Sequence, residues 1–229
     1  MHKVAVIKFP GTNCDEDVLW VIKHVAGLDA SIVWYKDFSL NAWDAIIIPG
    51  GFSFGDWLRA GAIAARTEAI EELSKVLDYG IPVLGICNGF QVLVEAGLLP
   101  GALLPNESGK FICRWVRVRV ERPKGPWLRL VNDGDVLDMP IAHAEGRYYV
   151  DDDTYNSLVV KSPLLRYVNG YNFNGSSYDI AGIATPDGLV LGLMPHPERA
   201  SEDVIAPRGF KAGGKVIFES LAKSLKEGW

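Results

Sequence analysis

Cys87 stands in the run Gly85-Ile-Cys-Asn-Gly89, at the end of an apolar stretch and just before a helix-like one. This is the nucleophile-elbow pattern with sulfur in place of oxygen. Gly85 and Gly89 carry no side chains where a sharp turn brings strand and helix together. The turn lifts Cys87 to a helix N-terminus, where backbone N–H groups and the helix dipole favour a thiolate. The competing reading is a buried thiol after a core strand. A cysteine nucleophile needs a base, a group that orients the base, and donors for the oxyanion. Four histidines are available. His2 is terminal and His24 falls within a helical pattern, which leaves His143 and His196. His196 follows an apolar strand and lies between two prolines that hold the backbone extended. Glu198, two residues on, points the same way in an extended segment and is placed to hold the imidazole from behind. The alternative there is a polar loop at a strand end. Gly50 and Gly51 close a further apolar run, so backbone N–H groups can approach a bound oxygen. The Gly51 N–H and the Asn88 N–H are the candidate oxyanion donors, with Gly50 and Phe52 beside them. A plain tight turn is the alternative.

The elements that must carry these residues alternate over the first hundred positions. Strand patterns cover residues 3–9, 30–35, 44–49 and 81–86. Helical spacing covers residues 15–26, 67–79 (Ile70, Leu73, Val76 and Leu77 on one face) and 88–96. Gly80 is the expected residue after the 67–79 helix. Such alternation predicts an α/β fold with a parallel sheet and helices on both faces. Ligands bind there outside the carboxyl ends of the strands, where residues 10–14, 50–56 and Cys87 fall. Residues 111–121, 142–150 and 164–171 read as strands with turn-rich links, an antiparallel extension of the same domain. Residues 180–185 and 189–194 read as a hairpin around Pro186-Asp187-Gly188. Residues 215–225 read as a closing amphipathic helix. The chain is expected to be a single domain over residues 1–229.

Composition narrows the class. A chain of 229 residues, 48% hydrophobic and 22% charged, can build a full core. A net charge of −5 argues against a nucleic-acid surface, and the basic, aromatic run 114–119 reads as a strand with one solvated face. No apolar run is long enough to span a bilayer, and the N-terminal segment from Met1 reads as a short buried strand, not a signal peptide. Three scattered cysteines argue against a disulfide framework and for the cytoplasm. Cys113 is expected in the core. Cys14 lies in a loop near the strand ends with no partner base visible. No metal-ligand spacing and no Walker-type phosphate loop is present.

The run Gly85-Ile-Cys-Asn-Gly-Phe-Gln91 with Pro195-His-Pro-Glu198 resembles the triad-type (class I) glutamine amidotransferases. Residues 9–15 (Phe-Pro-Gly-Thr-Asn-Cys-Asp), 50–64, 106–115 and 194–200 are similar to one family among them, the glutaminase subunits of phosphoribosylformylglycinamidine synthases. The likeness runs from about Val4 to the final helix. It implies a flavodoxin-like core and hydrolysis of L-glutamine to glutamate and ammonia. It also implies a large synthetase subunit that uses the ammonia to convert formylglycinamide ribonucleotide to the amidine in purine synthesis, and a small accessory subunit. No cofactor is expected in this chain; ATP and Mg are expected on the synthetase. The resemblance assigns Cys87 as nucleophile, His196 as base, Glu198 as orienting acid, and Gly51 and Asn88 as oxyanion donors. It places Gln91 against substrate, where the alternative is a helix-surface residue, and Asn174, Gly175 and Ser176 at the substrate carboxylate. The segment 143–148 resembles a stretch near the glutaminase site and partner face. The family has glycine at Ala144 and proline at Phe173; the second change weakens the carry-over to residues 174–176. Two other readings stand beside this one: a peptidase or deglycase on the same fold, and a non-catalytic subunit that gates a synthetase.

Overall fold

The computed structural model describes residues 2–229; Met1 and the side chain of Leu77 lie outside the described residues. The first five strands are β1 (Lys3–Lys8), β2 (Asp29–Trp34), β3 (Ala45–Ile48), β4 (Val83–Ile86) and β5 (Ala102–Leu104). They are followed by β6 (Ile112–Glu121), β7 (Val136–His143), β8 (Arg147–Tyr149), β9 (Leu164–Tyr167), β10 (Ile180–Ala184) and β11 (Val190–Leu193). The helices are α1 (Asp15–His24), α2 (Glu68–Leu73), α3 (Val76–Tyr79), α4 (Asn88–Glu95), α5 (Asp152–Ser157) and α6 (Lys215–Glu227).

Nine strands form one sheet in the order β2-β1-β3-β4-β11-β10-β9-β6-β7. The β2-β1-β3-β4-β11 side is parallel and the rest antiparallel. This is the expected α/β architecture, a parallel sheet flanked by helices with an antiparallel extension. Strands β5 and β8 form a separate pair. The central strands are buried end to end, from Val4–Ile7 through Ala45–Ile48 and Val83–Ile86 to Val190–Leu193. That continuous burial is why they read as unbroken apolar runs rather than alternating ones.

Three expectations change. The single helix over residues 67–79 is two short ones, α2 and α3, broken where the Ser74 hydroxyl donates to the Glu71 carbonyl in competition with the helix ladder. The strand expected over residues 142–150 is the end of β7, a tight loop and then β8. Strand β7 itself begins at Val136 and runs through Pro140, a residue that argues against a strand in sequence. It is tolerated because β7 is the edge of the sheet, where a missing N–H costs no ladder bond. Cys113 is exposed, not in the core. On β6 the even positions Val116, Val118 and Val120 face inward, and period-two alternation sends Cys113 to the arginine-bearing face.

The outer edge of β7 does not end the structure. The sheet curls until Pro140 accepts the His196 N–H at 2.8 Å and the Ala142 carbonyl lies 3.8 Å from the Cys87 sulfur. Chain segments remote in sequence thus meet at the carboxyl ends of β3, β4 and β11.

Candidate active site

Strand β4 delivers Cys87 to a turn of unusual backbone shape, φ 50° and ψ −103°. A non-glycine residue there is strained by on the order of 1–3 kcal/mol, which the packing around it must hold in place. The packing is tight because glycines allow it. A Cβ on Gly89 would lie 2.0 Å from the Ile48 carbonyl oxygen, and one on Gly85 would lie 2.7 Å from the Gly89 backbone. The Cys87 N–H donates to the Leu193 carbonyl at 2.8 Å, tying the turn to β11. Its thiol is 5% exposed.

His196 arrives from β11, whose last residue is in register with the last residue of β4. Pro197 starts a short 3-10 turn, Pro197–Ala200, that swings Glu198 behind the ring. The His196 Nδ1–H donates to Glu198 Oε1 at 2.6 Å, with both side chains buried. Burial opposes a charge on the imidazole. The Glu198 carboxylate, and after it the Cys87 sulfur, override this and raise its pKa well above the ordinary histidine value. This favours the charged form of the ring beside the Cys87 sulfur. Its Nε2 has no partner among the described residues. Gly50 makes room for the ring, since a Cβ there would lie 2.7 Å from His196 Cε1.

Cys14, which the sequence places in a loop near the strand ends and within reach of the site, lies beside this pair. Its sulfur is 4.0 Å from His196 Nδ1 and accepts from Arg199 Nη2 at 3.2 Å. Burial raises the thiol pKa, against the pull of His196 and Arg199. The donor atoms of Cys14, His196 and Glu198 all lie within 4.8 Å of one another. A proton already bridges the imidazole and carboxylate at 2.6 Å, and a guanidinium sits on the sulfur, so the group is built around a proton and a fixed cation.

The Gly50–Gly51 turn is stitched to residues 10–14. Thr12 bridges to Gly51, and Gly50 O accepts from the Asn13 and Cys14 N–H groups. At Gly51 (φ +149°) a Cβ would press within 2.8 Å of the Gly11–Asn13 backbone. Neither the Gly51 N–H nor the Asn88 N–H donates a hydrogen bond among the described residues. Helix α4 is buried from Asn88 to Val94, so its two polar side chains must bond inside. Asn88 Nδ2 donates to Gln91 Oε1 at 2.9 Å, Asn88 Oδ1 accepts from the Ser53 N–H at 3.1 Å, and Gln91 Nε2 donates to the Glu145 carbonyl at 2.6 Å. Gln91 is thus a buried strut, not a surface residue.

Gly51, Cys87 and Gln91 line one cavity of about 40 Å³ with His143, Asp56 and Glu145, and Phe52 and Ala144 complete its rim. Asn174, Gly175 and Ser176 do not line it. Asn174 Nδ2 donates to Gly146 O at 2.8 Å and Ser176 Oγ accepts from the Tyr148 N–H at 3.0 Å, so they brace the loop after β7 from behind. The Gly175 and Ser176 N–H groups donate to Asn172 Oδ1.

In the sequence His143 stood second to His196 as a base and had no other role. Asn106 Nδ2 donates to the carbonyls of Lys110 and His143, and Asn106 Oδ1 accepts from the Gly146 N–H, which fixes the amide orientation. That oxygen lies 3.0 Å from His143 Nδ1, so Nδ1 carries the proton. Burial, and then the charge of His196, lower the His143 pKa to about 4. The ring is neutral at pH 7, with a bare, buried Nε2 that has no partner among the described residues. The useful sequence signal was Asn106, within a run marked only by its resemblance.

This burial has a sign that can be measured. Between pH 6.5 and pH 4 the unfolded chain binds a proton at His143 that the folded chain refuses. The His143 contribution is complete above pH 6.5 and is lost as pH falls towards 4, on the order of 3 kcal/mol. Asp56, pushed up to about 6 by burial and then by Glu145, pulls the opposite way in the same window. It is common to the wild type and a His143→Gln variant, so it cancels in their difference. Urea midpoints across pH 4–7 should fall more steeply for the wild type; parallel curves would refute the assignment.

A family model described as the CobB/CobQ-like glutamine amidotransferase domain matches residues 1–221. Among curated relatives, the phosphoribosylformylglycinamidine synthase subunit PurQ of Methanosarcina mazei is 48% identical over 233 residues, covering 98% of this chain and 99% of that one. The PurQ subunit of Pyrococcus furiosus is 50% identical over 206 residues, covering 88% and 90%. Among solved structures, a chain of PurLQS from Thermotoga maritima superposes with a TM-score of 0.86 at 44% identity, covering 98% of this chain and 100% of that one. A glutamine amidotransferase of Thermotoga maritima shares the fold at a TM-score of 0.61 and 15% identity, covering 99% and 98%.

Proposed function

The chain belongs to the CobB/CobQ-like glutamine amidotransferase domain family, and from its likeness to the PurQ subunits we propose that it is the glutaminase subunit of a phosphoribosylformylglycinamidine synthase. It hydrolyses L-glutamine and delivers ammonia to a large synthetase subunit, with a small accessory subunit completing the complex. The carrying observation is one constellation: Cys87 on a strained strand-to-helix turn, with the buried His196–Glu198 pair beside it and two unengaged backbone amides. Relatives that match nearly end to end at about 48% identity are named PurQ, which disfavours a peptidase or deglycase.

In this reading the Cys87 thiolate attacks the carboxamide carbon of glutamine. The Gly51 and Asn88 N–H groups hold the oxyanion, each such donor being worth ~3 kcal/mol. The His196 imidazolium gives its Nε2 proton to the departing nitrogen, and the C–N bond breaks to leave a thioester and ammonia. Neutral His196 then takes a proton from water, whose oxygen attacks the thioester. Glutamate departs and the thiolate–imidazolium pair is restored. Glu198 holds the Nδ1 tautomer and stabilises the cation in both halves. ATP and Mg²⁺ are used on the synthetase subunit. The nine-stranded sheet spans both the parallel and antiparallel parts, which supports one domain over residues 1–229. No described helix is long and apolar enough to cross a membrane; the cytoplasm is the proposed setting.

The Glu198→Gln variant tests the assignment in the assembled complex. Glutamine-supported turnover should fall by about 10²-fold or more, while ammonia-supported synthesis stays at the wild-type rate. Undiminished glutamine turnover would remove Glu198 from the mechanism.

A further inference from the structure

The Glu198 side chain is fully buried, yet only half of its carboxylate is engaged. Oε1 accepts from the His196 Nδ1–H, and Oε2 has no partner among the described residues. A carboxylate in that position depends on nearby positive charge. In the proposed cycle His196 supplies it only part of the time. Once the imidazolium gives its Nε2 proton to the departing nitrogen, the carboxylate is left without that charge, in surroundings that screen poorly.

Arg199 is the other cation beside it, with Nε 4.0 Å from Glu198 Oε1. Two anchors hold the guanidinium there. Nε donates to Asp17 Oδ2 at 3.1 Å, and Nη2 donates to Cys14 Sγ at 3.2 Å. Cys14 is itself fixed. Its S–H donates to Asn13 Oδ1 at 3.2 Å, its backbone N–H donates to Gly50 O at 3.2 Å, and a Cβ on Gly50 would lie 3.1 Å from the sulfur. Burial pushes the Cys14 thiol up, so it accepts from the guanidinium without bringing a charge. A carboxylate at that point would cancel Arg199, whereas a thiol places it and leaves its charge for Glu198. Asp17 is half exposed, and water screens its share. Arg199 lines a separate cavity of about 420 Å³, walled by Trp20, Trp115 and Pro140, which shares no lining residue with the cavity beside Cys87. It reaches the reaction only through the triad.

We propose that Arg199 is a positioning residue of the triad, the standing cation that balances Glu198 whenever His196 is neutral. The inference rests on the glutaminase reading and extends it to the charge the site must carry. With Arg199, the set Cys87, His196, Glu198 and Arg199 is neutral both as thiolate with imidazolium and as thioester with imidazole. Without it the set carries a negative charge in both states, and His196 holds its proton more tightly. The other titratable groups around the ring come from separate elements: Cys14 and, through Arg199, Asp17 from the start of α1, Cys87 from the turn after β4, and His143 from β7. Asp15, next to Cys14, is paired with Lys8. His143 is neutral at pH 7 and cannot replace the guanidinium.

The test is kcat/KM for glutamine from pH 5 to pH 9 in the assembled complex with its synthetase partner, beside ammonia-supported synthesis. At low glutamine this ratio reports the steps up to loss of ammonia, which need the protonated ring. Arg199→Gln keeps a donor for Asp17 and Cys14 and removes the charge. Its profile should move to higher pH by roughly half to one pH unit. Arg199→Lys restores a cation and should stay on the wild-type profile. Ammonia-supported synthesis should be unchanged in both, which reports an assembled complex. An Arg199→Gln profile that superposes on that of the wild type overturns the role, and so does an Arg199→Lys profile displaced as far as that of Arg199→Gln. Should Arg199→Gln not assemble, Arg199→Met, which keeps the apolar stem, is read the same way. Failure of the underlying reading looks different: the wild-type complex would then release no ammonia from glutamine at any pH.

Discussion

Replacing Cys87 with alanine should abolish glutamine-supported synthesis in the assembled enzyme, by on the order of 10⁴-fold or more, and leave ammonia-supported synthesis intact. The reason is local. The sulfur is the only atom removed, and the turn that presents it is set by the backbone bond from the Cys87 N–H to Leu193 O and by the glycines on either side, none of which alanine disturbs. Alanine adopts φ 50° with strain similar to that of cysteine. Subunit contacts therefore survive, and ammonia added to the medium bypasses the missing thioester. The measurement is product formation with glutamine or with an ammonium salt at a pH that provides free ammonia. Loss of both activities in a complex that still assembles would show that Cys87 serves structure and would end the nucleophile assignment.

The second large effect is on folding. The Gly89→Ala variant should be severely destabilised, because the new Cβ falls 2.0 Å from the Ile48 carbonyl oxygen and 3.0 Å from Ile48 Cβ. The obstacle is main chain of β3, in the middle of the sheet, so no rotamer change relieves it. Overpacking of this kind costs 1–3 kcal/mol when side chains can move and more when they cannot, so about 4 kcal/mol is expected. Gly109 is the fitting control: its φ is +64° and nothing lies within 4 Å of a Cβ there. Its alanine variant should cost only the ~1 kcal/mol of the left-handed backbone. Equal denaturation midpoints for the two variants would show that β3 and α4 are farther apart than described.

Much of this was written locally in the chain. The elbow was legible because its glycines, its nucleophile and the flanking apolar strand are consecutive residues. The base and its orienter were legible because Pro195, Pro197 and Glu198 surround His196 within four positions. What was not legible depends on the curl of the sheet. Residues 136–141 carried no strand reading, and the place of Pro140 on an outer edge, where its carbonyl accepts from the His196 N–H, is what lets a strand run through it. Asn106 and His143 meet through an amide whose partners come from two segments, residues 106–110 and 143–146, and no periodicity marks such a pairing. Cys113 was misplaced because an apolar stretch was read as uniformly buried, although the alternation with Val116, Val118 and Val120 already pointed it outward. Cys14 needed the stitching of residues 10–14 to the Gly50–Gly51 turn before its neighbour could be known.

Strand β11 lies between β4 and β10 in the middle of the sheet, yet it is among the last strands to leave the ribosome. Until residue 193 emerges, β4 has an open edge beside Cys87, and the carbonyl of Leu193 that anchors the cysteine N–H does not yet exist. A nascent chain of this protein thus carries β4, a wholly apolar strand, with one edge unpaired, the condition most exposed to mispairing during synthesis. The segment that seals the sheet also brings His196 and Glu198, so the chain acquires its base only when its exposed edge is covered.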